Sequence, residues 1–335
     1  MQDLKEHCDI EIKWHVNYRC NFRCPYCFSM SNWKNPQKFR DIDEVVDSFN
    51  RLGLTCHIFL TGGEPFLFPN FIDLCKKLTK HHIISIVTNL SHKDVYRFIE
   101  EIDPGRVRFI ICNIHLQERL RLNLMEDYIK KYCLLKDKGF FLVADYVTHP
   151  PLIKRLVRDY AFFKSKGIII SIKIYRGPHM KLSILKHPRL RKLKNYFSRK
   201  YPEAYTAKEK AIMNKLIDES LMDQDMRIPP DAHKLGGRFP NRLLEKCFLD
   251  EVPTFKGNEC TVGSEFVKMD PEGKVNICYS GKDHCLGNMF EGGIKLLDKP
   301  IICPYDVCKC FKLGSRYSKS KNIQECPPPV SGHKG

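Results

Sequence analysis

Three thiols stand close together in the stretch NYRCNFRCPYCF, Asn17 to Phe28, which places Cys20, Cys24 and Cys27 in a Cys-x3-Cys-x2-Cys loop. At the end of a strand, three thiolates on one face of a tight turn supply three corners of a four-iron, four-sulfur (4Fe-4S) cluster. The fourth iron is then open to a substrate or cofactor, which a cluster held by four cysteines cannot offer. Zinc is the alternative, although three close cysteines with no fourth Cys or His in register make a poor structural zinc site. A second stretch, FLTGGEPFL from Phe59 to Leu67, sets Gly62, Gly63 and Glu64 ahead of Pro65. Two glycines let backbone approach a ligand closely, and Glu64 offers an acceptor for an ammonium group. Taken alone, the same turn is also a serviceable strand-to-helix connection.

The elements that must position these residues follow from periodicity. Six β-rich runs cover 10–16, 57–61, 83–88, 107–112, 141–147 and 168–174. Between them lie amphipathic stretches such as Ile42, Val45, Val46, Phe49 and Leu52, or Phe71, Leu74, Cys75 and Leu78, at helical spacing. Strand alternating with helix predicts an α/β fold of parallel βαβ units, closed into a barrel or a doubly wound sheet, with ligands at the C-terminal strand ends. Both motifs then share one rim. The chain divides into this core at 1–177, a Lys-rich helical connector at 178–255, a cysteine-rich region of short strands at 256–314 and a tail at 315–335 that lacks core-forming residues. In the third region, FVKMDPEGKVNIC reads as a hairpin around Pro-Glu-Gly.

At 335 residues, 43% hydrophobic, the chain can bury a full core. No run of eighteen apolar residues exists, and the N-terminal stretch reads as neither signal nor transit peptide, so a cytoplasmic protein with no membrane partner is expected. Sixteen cysteines in a reducing compartment point to metal ligation rather than disulfides. Cys56, Cys75, Cys112 and Cys133 fall in apolar stretches and read as small buried hydrophobes. The net charge of +17 is uneven: from Lys181 to Lys215 there are eleven Lys or Arg against two Glu.

Together the two motifs resemble those of the radical S-adenosylmethionine (radical SAM) superfamily, whose signature is Cys-x3-Cys-x-aromatic-Cys, here with Tyr26 as the aromatic, and whose second motif is Gly-Gly-Glu-Pro. The resemblance implies a partial (β/α)6, TIM-like barrel with a small cysteine-rich α+β auxiliary-cluster domain. It implies that Cys20, Cys24 and Cys27 ligate a 4Fe-4S cluster whose open iron is chelated by S-adenosyl-L-methionine. Gly62, Gly63 and Glu64 would hold the methionine ammonium, and backbone near Tyr26 and Phe28 would meet the adenine. Thr88, Asn89 and Asn113 stand where further cofactor contacts occur, although polar residues at strand ends are commonly turn formers. The implied chemistry is reductive cleavage of S-adenosylmethionine to a 5′-deoxyadenosyl radical that abstracts hydrogen from substrate, fed by a flavodoxin- or ferredoxin-type electron donor.

The C-terminal cysteines resemble the auxiliary-cluster (SPASM/twitch) extension of the superfamily, in the shorter one-cluster form of the butirosin-pathway dehydrogenase. Cys260 and Cys278 would bind a second 4Fe-4S cluster with two of Cys303, Cys308 and Cys310, Cys308 and Cys310 being slightly favoured. Cys285 and Cys326 read as bystanders, and a structural zinc is the alternative occupant. His115, Asp145, His149, Tyr175 and Arg176 fall at or just beyond strand ends. Asp145 and Arg176, as charged groups near a barrel mouth, are the candidate catalytic residues.

Three function classes remain. A radical enzyme acting on a small anionic substrate, such as a sugar- or nucleotide-linked metabolite, leads, because the basic connector offers phosphate contacts. A peptide maturase is disfavoured by the nineteen residues before Cys20, too few for a recognition module. A nucleic-acid-binding protein with structural clusters fits the charge, but the basic stretch shows no zinc-finger, aromatic RNA-binding or helix-turn-helix signature. An RNA-modifying radical enzyme would combine the first and third classes.

Overall fold

β-branched runs of five to eight residues, broken by amphipathic stretches, fold as the periodicity predicts. The computed structural model describes residues 8–27, 38–178, 200–223, 245–246, 249, 256–278 and 284–305. Its core runs β1 (Ile10–Asn17), α1 (Ile42–Asn50), β2 (Cys56–Gly62), α2 (Phe71–Leu78), β3 (Ile83–Thr88), α3 (Val95–Glu101), β4 (Val107–Cys112), α4 (Leu116–Leu122), α5 (Met125–Asp137), β5 (Leu142–Val147), α6 (Leu156–Ser165) and β6 (Ile170–Lys173). Neighbouring strands from β1 to β6 pair in parallel, in sequence order. This is the partial (β/α)6 barrel.

Alternation along each strand sorts side chains between two faces. Ile10, Ile12, Trp14 and Val16 of β1 point into the main core, where Trp14 meets Phe49 of α1 with ring centroids 5.6 Å apart. On the opposite, concave face a smaller cluster of Phe109, Ile111 and Val143 packs with Phe59 and Val87. At the N-terminal end of that face Arg108 lies against His57 at 2.9 Å, and His57 against Ser85 at 2.8 Å, forming a polar floor. Cys56, Cys75 and Cys112 are buried as expected, whereas Cys133 on α5 is only half-buried.

Beyond β6 come a two-residue pair, β7 (Gly177–Pro178) with β8 (Lys200–Tyr201), and α7 (Ala207–Met222), begun by a Thr206–Glu209 capping box. The most basic part of the connector lies outside the described residues. The C-terminal region contributes β9 (Glu259–Cys260), β10 (Phe266–Met269), β11 (Lys274–Asn276), β12 (Cys285–Asn288), β13 (Gly293–Ile294) and β14 (Ile301–Ile302). The expected hairpin is β10–β11, its turn fixed by Asp270, whose Oδ1 accepts from Glu272 N at 3.1 Å and Lys274 N at 2.9 Å. Most of this region does not form a sheet apart: β10 pairs in parallel with β1, so β13-β12-β11-β10 extends the barrel sheet in order, while β9 and β14 pair in a separate two-stranded ribbon. Among the described residues no helix is long and apolar enough to cross a membrane.

Candidate active site at the C-terminal strand ends

The cysteine loop leaves β1 after Asn17 and is fixed from below by α4. Arg23 N donates to Glu118 Oε2 at 2.8 Å, and buried Phe22 lies edge-on to His115 and under the Arg119 guanidinium, 5.5 Å from its ring centre. Cys27 N closes the turn onto Cys24 O at 3.0 Å. Burial pushes the Cys20 thiol up to about 12, with the field of Glu64 adding to it. Burial also raises Cys24, and the neighbouring Cys20 and Cys27 raise it further. Three mutually repelling thiols ionise together only around a strongly cationic centre. Among the described residues no group of His, Cys, Asp or Glu closes around one metal ion.

Gly62 and Gly63 clamp the second motif to that loop. Gly62 has φ +125°, and a Cβ there would stand 2.1 Å from Asn17 O, while one on Gly63 would stand 1.9 Å from Arg19 O. Gly63 N donates to Asn17 O and Glu64 N to Arg19 O, both at 2.8 Å. The close approach that needs glycine is thus to the chain's own backbone.

Glu64 is held by donors of the chain itself. Its side chain is turned inward at 1% exposure: Oε1 accepts from Thr88 Oγ1 at 2.6 Å and Phe66 N at 3.3 Å, and Oε2 from Asn89 N at 2.7 Å. Burial raises its pKa to about 7 despite those donors. The carboxylate is a brace between the β2 and β3 ends. Glu64→Ala is therefore expected to strand three buried donors at about 1–3 kcal/mol each and to lower Tm by about 2–4 °C per kcal/mol. Glu64→Gln, which keeps one acceptor oxygen, loses less. An unchanged melt of the Ala variant would contradict the brace.

A second acceptor at the site is Asn17, fully buried, whose Nδ2 donates to Glu64 O at 3.0 Å while Oδ1 has no partner among the described residues. An orphaned buried acceptor beside the glycine turn suits the ammonium of a bound amino acid. Asn89 Nδ2 reaches Asn21 Oδ1 at 3.0 Å, tying the β3 end to the cysteine loop. Asn113 N donates to Thr88 O at 2.8 Å. Arg119 joins these ends: it is wholly buried, donates to the backbone oxygens of Asn89 and Asn113, and stacks 4.1 Å over the Tyr128 ring. Burial lowers its pKa to about 10. Sequence reading passed over both Asn17 and Arg119; Asn17's place as the last residue of β1 was the one available signal.

An aromatic wall stands across the mouth. Tyr26 OH lies 3.0 Å from His115 Nδ1, its ring is 5.1 Å from His149, and His149 is 5.2 Å from Tyr175. Tyr201 and Tyr205 continue the wall from the connector. Asp145 is buried on β5 opposite Ser171 of β6. Arg176 lies within the field of Glu245. With Lys173 it holds the Glu245 carboxyl below the usual range against the effect of burial, and Lys173 and Glu245 form an ion pair. Phe28 lies outside the described residues.

In the C-terminal region Cys260, Cys278 and Cys303 are buried and Cys285 is exposed. Cys260 faces Ile301 in the β9–β14 ribbon, and Cys303 N donates to Asn258 O at 2.8 Å. Cys303 stands two residues beyond the partner of Cys260, so both project to one face of the ribbon. Cys308, Cys310 and Cys326 lie outside the described residues.

The model of the Radical SAM superfamily matches residues 14–150. The chain is 30% identical over 74 residues to the mycofactocin maturase MftC of Mycobacterium ulcerans, covering 22% of this chain and 20% of that protein. It is 35% identical over 94 residues to an S-adenosylmethionine-dependent nucleotide dehydratase of a Fibrobacter species, covering 25% of this chain and 28% of that protein. The chain thus matches well under a third of the length of these curated relatives. The solved structure of native anSMEcpe with bound AdoMet is similar in fold, with TM-score 0.53 and 18% identity over 84% of this chain and 78% of that one.

Proposed function

We propose, for a chain that belongs to the radical SAM superfamily, that Cys20, Cys24 and Cys27 hold a 4Fe-4S cluster and that the whole protein is a radical enzyme acting on a small anionic substrate. The observation that carries this reading is the clamp of the glycine turn onto the cysteine loop, with the orphaned Asn17 Oδ1 beside it. When bound, the cluster and S-adenosyl-L-methionine supply, on one-electron reduction, a 5′-deoxyadenosyl radical able to take hydrogen from an unactivated carbon.

The chain's own residues do the positioning. Asn17 accepts from the methionine ammonium. Glu64, Asn89 and Arg119 lock the ends of β2, β3 and β4 so that this acceptor stays in place. Tyr26, His115, His149 and Tyr175 form the aromatic side of the mouth and exclude water from it. Cys260, Cys278 and Cys303, with a fourth ligand from Cys308 or Cys310, would hold an auxiliary cluster; the shared face of Cys260 and Cys303 supports Cys303 over the pair favoured from spacing. The nucleotide substrate class in the name of the Fibrobacter relative supports a small anionic substrate. The test is anaerobic reconstitution with deuterated phosphorylated metabolites, following label into 5′-deoxyadenosine. Transfer from a peptide and from none of the phosphorylated compounds would overturn the substrate class.

A further inference from the structure

A guanidinium lies buried beneath the cysteine loop. Arg119, on α4, has no solvent exposure, and burial lowers its pKa to about 10, so it remains a cation at neutral pH. Among the described residues its donors meet backbone oxygens: Nη2 reaches Asn89 O and, at 3.3 Å, Asn113 O, and Nη1 reaches Leu124 O at 3.5 Å. Asp127 and Glu64 act on it through their fields, but each carboxylate is engaged elsewhere, Asp127 with Lys131 at 2.7 Å and Glu64 with Thr88 and Asn89. A buried charge without a close counter-ion is costly. Carbonyl contacts, which a neutral side-chain amide could also make, do not account for it.

Its position does. The guanidinium stacks on the Tyr128 ring at 4.1 Å and stands 5.5 Å from the centre of the Phe22 ring, and Phe22 lies in the loop between Cys20 and Cys24. Phe22 N donates to Cys20 Sγ at 3.4 Å, and Asn89, whose carbonyl Arg119 holds, offers Nδ2 to the same sulfur at 3.9 Å. One cation and two N–H donors thus gather behind Cys20. The same helix presents the opposite sign beside them: Glu118 accepts from Arg23 N of the loop at 2.8 Å and is ion-paired with Arg121. Net charge, hydrogen bonds to the sulfurs and solvent exposure set the reduction potential of an iron–sulfur cluster. One-electron reduction adds negative charge, so a fixed cation nearby, in a medium of low dielectric, favours the reduced form.

We propose that Arg119 tunes electron entry: acting from behind Phe22 and through Asn89, it raises the reduction potential of the cluster held by Cys20, Cys24 and Cys27. The inference rests on the proposed function and adds the group that eases its first step. The electron comes from an external one-electron carrier and is taken up by the cluster. Arg119 exchanges neither proton nor bond, and its charge stays constant throughout.

The test is a mediated redox titration of the anaerobically reconstituted full chain at neutral pH. It follows, by electron paramagnetic resonance, the signal that responds to S-adenosylmethionine, which singles out the cysteine-loop cluster. Arg119→Gln keeps a side-chain donor and loses the charge; it is expected to lower the ratio of reduced to oxidised cluster at a fixed solution potential about tenfold, which is about 59 mV in midpoint. Arg119→Met, apolar and suited to lie between the Phe22 and Tyr128 rings, stands in should the Gln variant fail to fold and is expected to shift the midpoint the same way. Arg119→Lys keeps the charge and is expected to hold the ratio within about threefold of the unmodified protein. Glu118→Gln removes the opposite charge, keeps an acceptor for Arg23 N, and is expected to move the midpoint upward. A merely structural role for Arg119 would move its three variants alike. An unmoved midpoint in the neutral variants, an equal fall in the Lys variant, or a fall in Glu118→Gln overturns the assignment while leaving the proposed function standing. An unmodified protein with no signal responsive to S-adenosylmethionine would overturn the proposed function, and this inference with it.

Discussion

Replacing Cys20, Cys24 and Cys27 together by Ala is expected to abolish formation of 5′-deoxyadenosine and to remove about half of the iron, from about eight atoms per chain to about four. The size of the effect follows from the site. The loop supplies three thiols, of which burial raises Cys20 and Cys24 so that they stay protonated unless a cationic centre is present, and no other described cysteine is within the loop to substitute. Fold should survive, because Phe22, Glu118 and Arg119 hold the loop to α4 without the thiols. Retained cofactor cleavage in the triple variant would remove the basis for radical chemistry.

The second large effect concerns the auxiliary site. Cys260→Ala with Cys278→Ala is expected to leave about four irons and intact, uncoupled cleavage of S-adenosylmethionine, because the first cluster has its own thiolates, while product formation falls steeply. Cys303→Ala should act in the same direction, since Cys303 shares a ribbon face with Cys260. If the auxiliary cluster accepts the electron left after hydrogen abstraction, the product is a two-electron oxidation product. A protein that holds one zinc and about four irons, with turnover indifferent to the zinc, would make the extension a structural lid and favour a redox-neutral outcome such as elimination or epimerisation.

Much of the barrel was legible because burial on both faces of a parallel sheet demands β-branched runs, and the helices between them must show one apolar stripe. The runs at 83–88 and 107–112 coincide with β3 and β4, and the others differ from their strands by no more than a few residues at an end. The parallel join of β10 to β1 left no such trace, because pairing between distant segments imposes no local pattern. At the site, residue types were legible but not the atoms that act. Spacing marks Gly62, Gly63 and Glu64 as a motif, yet only the fold shows that the glycines meet the Asn17–Arg19 backbone and that the Glu64 carboxylate faces inward. Asn17 and Arg119 are single polar residues whose burial no periodicity announces. The ion pair of Lys173 with Glu245 could not be read at all, because its carboxylate comes from the distant connector.

The central claim, a four-iron cluster held by Cys20, Cys24 and Cys27 with its fourth iron open to S-adenosylmethionine, is tested most directly by electron paramagnetic resonance of the reduced Cys260→Ala/Cys278→Ala protein. That variant is expected to carry a single reduced 4Fe-4S cluster, whose signal should shift in g-values when S-adenosylmethionine is added, as an amino acid chelates the open iron. A spectrum that does not change on addition, at cofactor concentrations that saturate binding, would contradict the claim.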